Sequence, residues 1–177
     1  NLKESFTRIL LQGLSKDGGL FLPHVWPSIN VEELKNLSYQ EIAFQIIFPF
    51  VQEDINDGEL KLILDKTFKH FTHSQIAPLI NIESNKFILE LFYGPTLAFK
   101  DYAMQFLGNI FSYILETSNR KITILGATSG DTGSSAIEAF KGKKDISVFI
   151  LHPHNMVSNV QRRQMTTVDD SNIHNIA

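Results

Sequence analysis

The chain has 177 residues, which suits one domain with a smaller part attached, and its 43% hydrophobic content, with 14 Phe, can fill a core. With 20% charged residues and a net charge of −3 it is neither a disordered polyelectrolyte nor a surface that attracts nucleic acid or an anionic membrane, and neither partner is expected. It has no cysteine, no apolar run of the about 18 residues that a spanning helix needs and no basic-then-apolar leader, which excludes disulfides and thiol catalysis and leads us to expect a soluble cytoplasmic protein.

The first part of the chain reads as helical. Leu2 to Leu14 repeats apolar residues at helical spacing and is closed by the turn-rich Ser15-Lys-Asp-Gly-Gly19. Pro23 and Pro27 then bracket the single Trp26 in an extended connector. Ser38 followed by Glu41 has capping-box spacing and predicts a helix carrying Ile42, Ala43, Phe44, Ile46 and Ile47, kinked or ended near Pro49. Asn56 or Asp57 can start another helix, from Gly58 to near Lys69, with Leu60, Ile63 and Leu64 on its core face.

From Pro78 strands alternate with helices. Leu79–Ile82 and Lys86–Leu91 read as a hairpin about Glu83-Ser-Asn85. A helix is predicted over 97–116, a strand over 122–125, a helix over 131–141, a strand over 146–151 and a helix over 157–165. Asn172 to Ala177 alternates like a strand getting under way. No crossover or neighbour follows it, so we read the chain as cut within the sheet. The fold class expected is α/β, a mainly parallel sheet with flanking helices preceded by a largely helical amino-terminal region. The expected division is 1–76 and 77–177, the second part incomplete at its C-terminal end.

Two segments carry chemistry. In Glu90-Leu-Phe-Tyr-Gly-Pro-Thr-Leu-Ala-Phe-Lys-Asp101, Lys100 follows a Gly-Pro-Thr turn near a helix start. Leu97, Ala98 and Phe99 would desolvate it and the helix dipole would favour its neutral amine, the form able to attack an aldehyde cofactor and then move protons. Taken alone, such a lysine is ordinarily a solvated first-turn residue. The second segment is Gly126-Ala-Thr-Ser-Gly-Asp-Thr-Gly133, between the strand Ile122–Leu125 and a helix. Its glycines admit a ligand close to the backbone, and the helix start with Thr128, Ser129 and Thr132 offers donors to an anion. A plain capped turn, with Asp131 or Thr132 as N-cap, would need only one such residue.

Together these segments resemble threonine synthase, a pyridoxal 5'-phosphate (PLP) enzyme family of fold type II. Gly13-Leu-Ser-Lys-Asp-Gly-Gly-Leu-Phe-Leu-Pro23 and Val160-Gln-Arg-Arg-Gln-Met-Thr-Thr167 extend the resemblance over nearly the whole chain. Tyr93 departs from the family, many of whose members carry His before Gly-Pro-Thr. The resemblance implies that Lys100 holds PLP covalently and relays protons. It implies that Thr128, Ser129, Gly130, Asp131, Thr132 and Gly133 grip the substrate, O-phosphohomoserine. The reaction implied adds water to yield threonine and phosphate, the last step of threonine biosynthesis. The family's loop for the PLP phosphate lies further downstream, so we expect an amino-terminal portion, inactive without the remainder of its own chain.

No metal is expected. His70 with His73, or His152 with His154, lacks the further ligands of a metal sphere. Lys141, Lys143 and Lys144 suit a helix C-terminus, Arg162 and Arg163 a solvated helix face, and Asp101 a helix start. A related phospholyase using the same lysine, or a non-catalytic anion-binding domain, remains as an alternative reading.

Overall fold

The computed structural model describes residues 3–177, so the Leu2 end of the first expected helix lies outside the described residues. The chain forms two compact units, one through Asp65 and one from Lys66. They divide inside a helix, whereas the change of residue pattern at 76/77 is the later one from helix to strand.

In the first unit, α1 (Phe6–Gln12) ends at Gly13, whose N–H donates to Ile9 O at 2.8 Å. Asp54 Oδ2 accepts from both Thr7 N (2.6 Å) and Thr7 Oγ1 (2.8 Å), fixing α1 to the loop after α3. A short α2 (Val31–Leu34), absent from the sequence expectation, starts where the Asn30 side chain accepts from Glu32 N. The capping box at Ser38 and Glu41 is complete in both directions and opens α3 (Tyr39–Val51). Pro49 sits in the last turn of α3, where its missing N–H removes one helix bond, and the helix stops at Val51. Asn56 and Glu59 form the same reciprocal pair ahead of α4 (Asp57–Phe68), and Leu60, Ile63 and Leu64 are buried.

The second unit contains the hairpin β1 (Leu79–Glu83) and β2 (Lys86–Leu89), turned through Asn85 at φ +61°. There follow α5 (Asp101–Ser118), β3 (Ile122–Ala127), α6 (Asp131–Phe140), β4 (Ile146–Leu151), α7 (Asn159–Thr166) and β5 (Ile173–Ile176). The three later strands form a parallel sheet in the order β3-β4-β5. Strand β5 is therefore not unpartnered: its neighbour is upstream, with α7 as the crossover and β4 as the pair. Ile146, Val148 and Ile150 alternate into the core, with Ile137 and Phe140 of α6, Met165 of α7 and Ile110, Ile114 and Leu115 of α5. Loop and helix starts thus gather at the carboxyl ends of the strands, where open α/β sheets bind ligands. Among the described residues no helix is long and apolar enough to cross a membrane.

Lys143, half-buried after α6, donates from Nζ to Asn109 Oδ1 at 3.3 Å. Burial pushes its ammonium pKa down; Glu116 opposes that shift and Lys66 adds to it. Because the folded value is depressed, the unfolded chain binds more protons between that value and the free-lysine value of about 10.4. The cost of burying the charge is therefore fully present below the folded pKa, and stability rises with pH through this window. Lys143→Met is expected to flatten that rise in denaturation midpoints measured against pH. Parallel profiles for K143M and the parent protein would refute the assignment.

Candidate functional site

The lysine segment enters its helix through two tight turns. Leu97 N–H donates to Gly94 O (3.1 Å) and Asp101 N–H to Ala98 O (3.0 Å), so α5 starts at Asp101 and not at Leu97 as its composition predicts. Leu97 lies at φ +62°, a left-handed conformation costing a leucine about 1–2 kcal/mol. The bonds around Thr96 hold it there. The carboxylate of Asp101, 0% exposed, accepts from Thr96 N (2.7 Å) and Thr96 Oγ1 (2.6 Å). Gly94 packs directly on that carboxylate, since a Cβ there would lie 2.5 Å from Asp101 Cβ and Oδ2. Thr96 Oγ1 is also 3.0 Å from Ser135 Oγ of α6. As its single proton is given to Asp101, the Ser135 hydroxyl is the donor. Asp101 thus braces the turn that presents Lys100, a role beyond the helix-start effect read from its position.

Lys100 occupies the N-cap position of α5, half-buried, with Nζ 4.3 Å from the centre of the Phe99 ring. The expected apolar enclosure is not supplied by Leu97 and Phe99, which are 67% and 57% exposed. Their exposure follows from the turns, which direct these residues outward before the helix begins. Tyr93, just upstream, donates its hydroxyl to Glu90 Oε2 at 2.7 Å, and its ring lies 4.7 Å from that of His73. The bond to Glu90, then burial, raises its pKa.

The second segment leaves β3 and turns sharply into α6. Gly130 at φ +156° is the N-cap, so neither Asp131 nor Thr132 fills that position. Thr128 Oγ1 instead accepts from Gly130 N and Gly133 N, both at 3.1 Å, and so takes over the capping from inside the loop. A side chain on Gly133 would strike Thr128 and Met165 Sδ. Ser129 and Thr132 are exposed, and the first-turn N–H groups of Asp131 and Thr132 have no acceptor within the helix. The Asp131 carboxylate accepts from Gln161 Nε2 of α7.

Lys100 and this loop, distant in sequence, line one cleft of about 260 Å³ together with Ala127 and Gln161. From the expected set, Lys100, Thr128, Ser129, Asp131 and Thr132 border it, while Gly130 and Gly133 form the backbone behind. Gln161 was not singled out from sequence. Its only signal was membership of the Val160–Thr167 segment, since a neutral amide carries no chemistry of its own to mark it. A larger cavity of about 630 Å³ lies between α3 and α4 in the first unit, but Lys61 there is engaged with Asp57 and the Phe44 ring, and no expected site residue reaches it. Among the described residues no three metal-ligating side chains converge. Arg162 and Arg163 are exposed, and Lys141 pairs with Glu138 at 2.7 Å.

Residues 1–68 match the family model described as threonine synthase N terminus. The threonine synthase of Pseudomonas aeruginosa is 48% identical over 176 residues, 98% of this chain and 38% of that protein. The structure of PLP-bound threonine synthase from Brucella melitensis superposes with a TM-score of 0.92 at 43% identity, over 97% of this chain and 38% of that one. The yeast threonine synthase structure gives 0.91 at 44% identity, over 98% and 37%. The chain thus spans less than two fifths of the length of these relatives. It belongs to the threonine synthase family and corresponds to the amino-terminal part of its members.

Proposed function

We propose that these residues are the lysine-bearing part of a PLP-dependent threonine synthase. This enzyme is a cytoplasmic carbon–oxygen lyase acting on phosphate. It converts O-phosphohomoserine and water to threonine and inorganic phosphate. The observation that carries the reading is the single cleft lined by the Lys100 amine and the hydroxyl-rich start of α6. These groups fit the cofactor chemically: a primary amine suits its aldehyde, and free N–H and hydroxyl donors suit an amino-acid carboxylate. PLP, when bound, supplies the electron sink for bond changes at the substrate's α- and β-carbons. Lys100 Nζ is the group that would hold the cofactor at its aldehyde carbon, and as a free amine it would be the base that takes and returns protons at those carbons. Ser129 and Thr132 donate to the substrate carboxylate, while Thr128, Gly130, Asp131 and Gly133 keep the loop in shape. The remainder of a longer chain supplies the contacts to the PLP phosphate and ring nitrogen. Consistent with that, Leu79 (60%), Phe87 (55%), Leu89 (52%) and Leu125 (71%) are exposed, the apolar surface that further chain would cover.

Incubation with PLP, borohydride reduction and peptide mass mapping tests this. The expected result is a pyridoxyl adduct confined to the Lys100 peptide in the longer chain, and a weak one or none in residues 1–177 alone. Label spread over surface lysines would instead support a non-catalytic anion-binding domain. Phosphate release without threonine would indicate a phospholyase.

A further inference from the structure

Helix α7 touches both halves of the site with two glutamines one turn apart. Gln161 Nε2 donates to Asp131 in the glycine-rich loop, and Gln164 Nε2 donates to the Thr96 carbonyl in the lysine segment at 3.1 Å. Residues three apart share one helix face, and Met165 beside them is fully buried, which fixes that face inward. Gln161 is itself oriented, since its Oε1 accepts from Ser158 Oγ at 2.8 Å, leaving the amide nitrogen for Asp131. Thr96 lies in the turn that delivers Lys100, and its remaining polar groups are engaged by Asp101 and Ser135.

We infer that α7 is a tie bar: Gln161 and Gln164 together set the distance between Lys100 and the anion-binding loop. Neither needs to touch a reacting atom; both are positioning residues. The two bonds act in series along α7, beside the direct Thr96–Ser135 contact to α6, because α7 constrains the loop against the lysine turn only while both of its ends are attached. Cutting either end releases that constraint, and cutting the second adds little. Displacements of an ångström or so between a base and its substrate are enough to slow proton transfer markedly.

This inference rests on the proposed function, and its test separates the two. In the longer enzyme, Gln161→Met and Gln164→Met keep side-chain length and remove the donor. Each is expected to lower kcat about tenfold with KM within about twofold, and the double variant to lie within about twofold of the worse single one, whereas independent losses would multiply to about a hundredfold. Denaturant midpoints of the cofactor-free variants are expected to stay close to the parent's, and borohydride should still place the pyridoxyl group on Lys100. An adduct on Lys100 together with multiplicative losses, unchanged kcat, or losses explained by a collapse of the midpoint would overturn the tie bar alone. Failure of the unaltered enzyme to form the Lys100 adduct would overturn the functional reading and the tie bar with it.

Discussion

Lys100→Ala in the longer enzyme is expected to reduce turnover by at least about a thousandfold, the size of effect seen when a positioned acid–base group is lost. The loss should appear in kcat, accompanied by disappearance of the borohydride-trapped adduct from the peptide containing residue 100. Lys100→Arg should be no better. It keeps the positive charge over the Phe99 ring but has no amine able to bond an aldehyde carbon. Because Lys100 is a half-buried N-cap residue without a side-chain capping bond, neither substitution should unfold the protein. Substantial turnover in K100A would mean that another group holds the cofactor, and the assignment would fall.

Gly108→Ala is expected to be the most damaging change in the α5–α6 packing. By helix propensity alone, alanine at a mid-helix glycine should stabilise by about 1 kcal/mol. Here an added Cβ would stand 2.5 Å from the carbonyl oxygen of Ala139 and 3.2 Å from its Cβ. The obstacle is α6 backbone, which cannot rotate away as a side-chain tip can. Overpacking of this kind costs up to about 3 kcal/mol, so the net expectation is a loss of about 2 kcal/mol, read as a lower denaturant midpoint. Helices α5 and α6 both begin at the cleft, so their separation should also weaken retention of the Lys100 adduct. A midpoint equal to the parent's would show that α6 can shift aside at little cost.

Much of this architecture was legible because it is local. The Ser38–Glu41 pair spans one helical turn, and its two hydrogen bonds depend on little else. The alternation of apolar residues in Ile146–Leu151 is read directly by the sheet, with Ile146, Val148 and Ile150 all buried. Where the sequence misled, a distant partner decided. Composition favours helix from Leu97, yet that residue is held left-handed because Thr96 is engaged by Asp101, Ser135 and Gln164 at once. Thr128 borders the cleft as expected, and its hydroxyl also accepts from Gly130 N and Gly133 N of its own loop, a capping role that residue type alone did not distinguish. The α2 turn escaped because its cap, Asn30, starts only a four-residue helix, too short to show a period.

The chain by itself determined the family, the α/β alternation, and the two segments that carry a lysine and a hydroxyl- and glycine-rich helix start. These rest on residue type, spacing and local hydrogen bonding. Only the tertiary structure decided that Lys100 and the loop from Thr128 to Thr132 face one cleft, and that Asp101, Thr96, Gln161 and Gln164 hold them there. The reason is physical: amide and carboxylate side chains take their roles from the groups packed against them, and residues far apart in sequence meet only once the sheet and its crossover helices have formed.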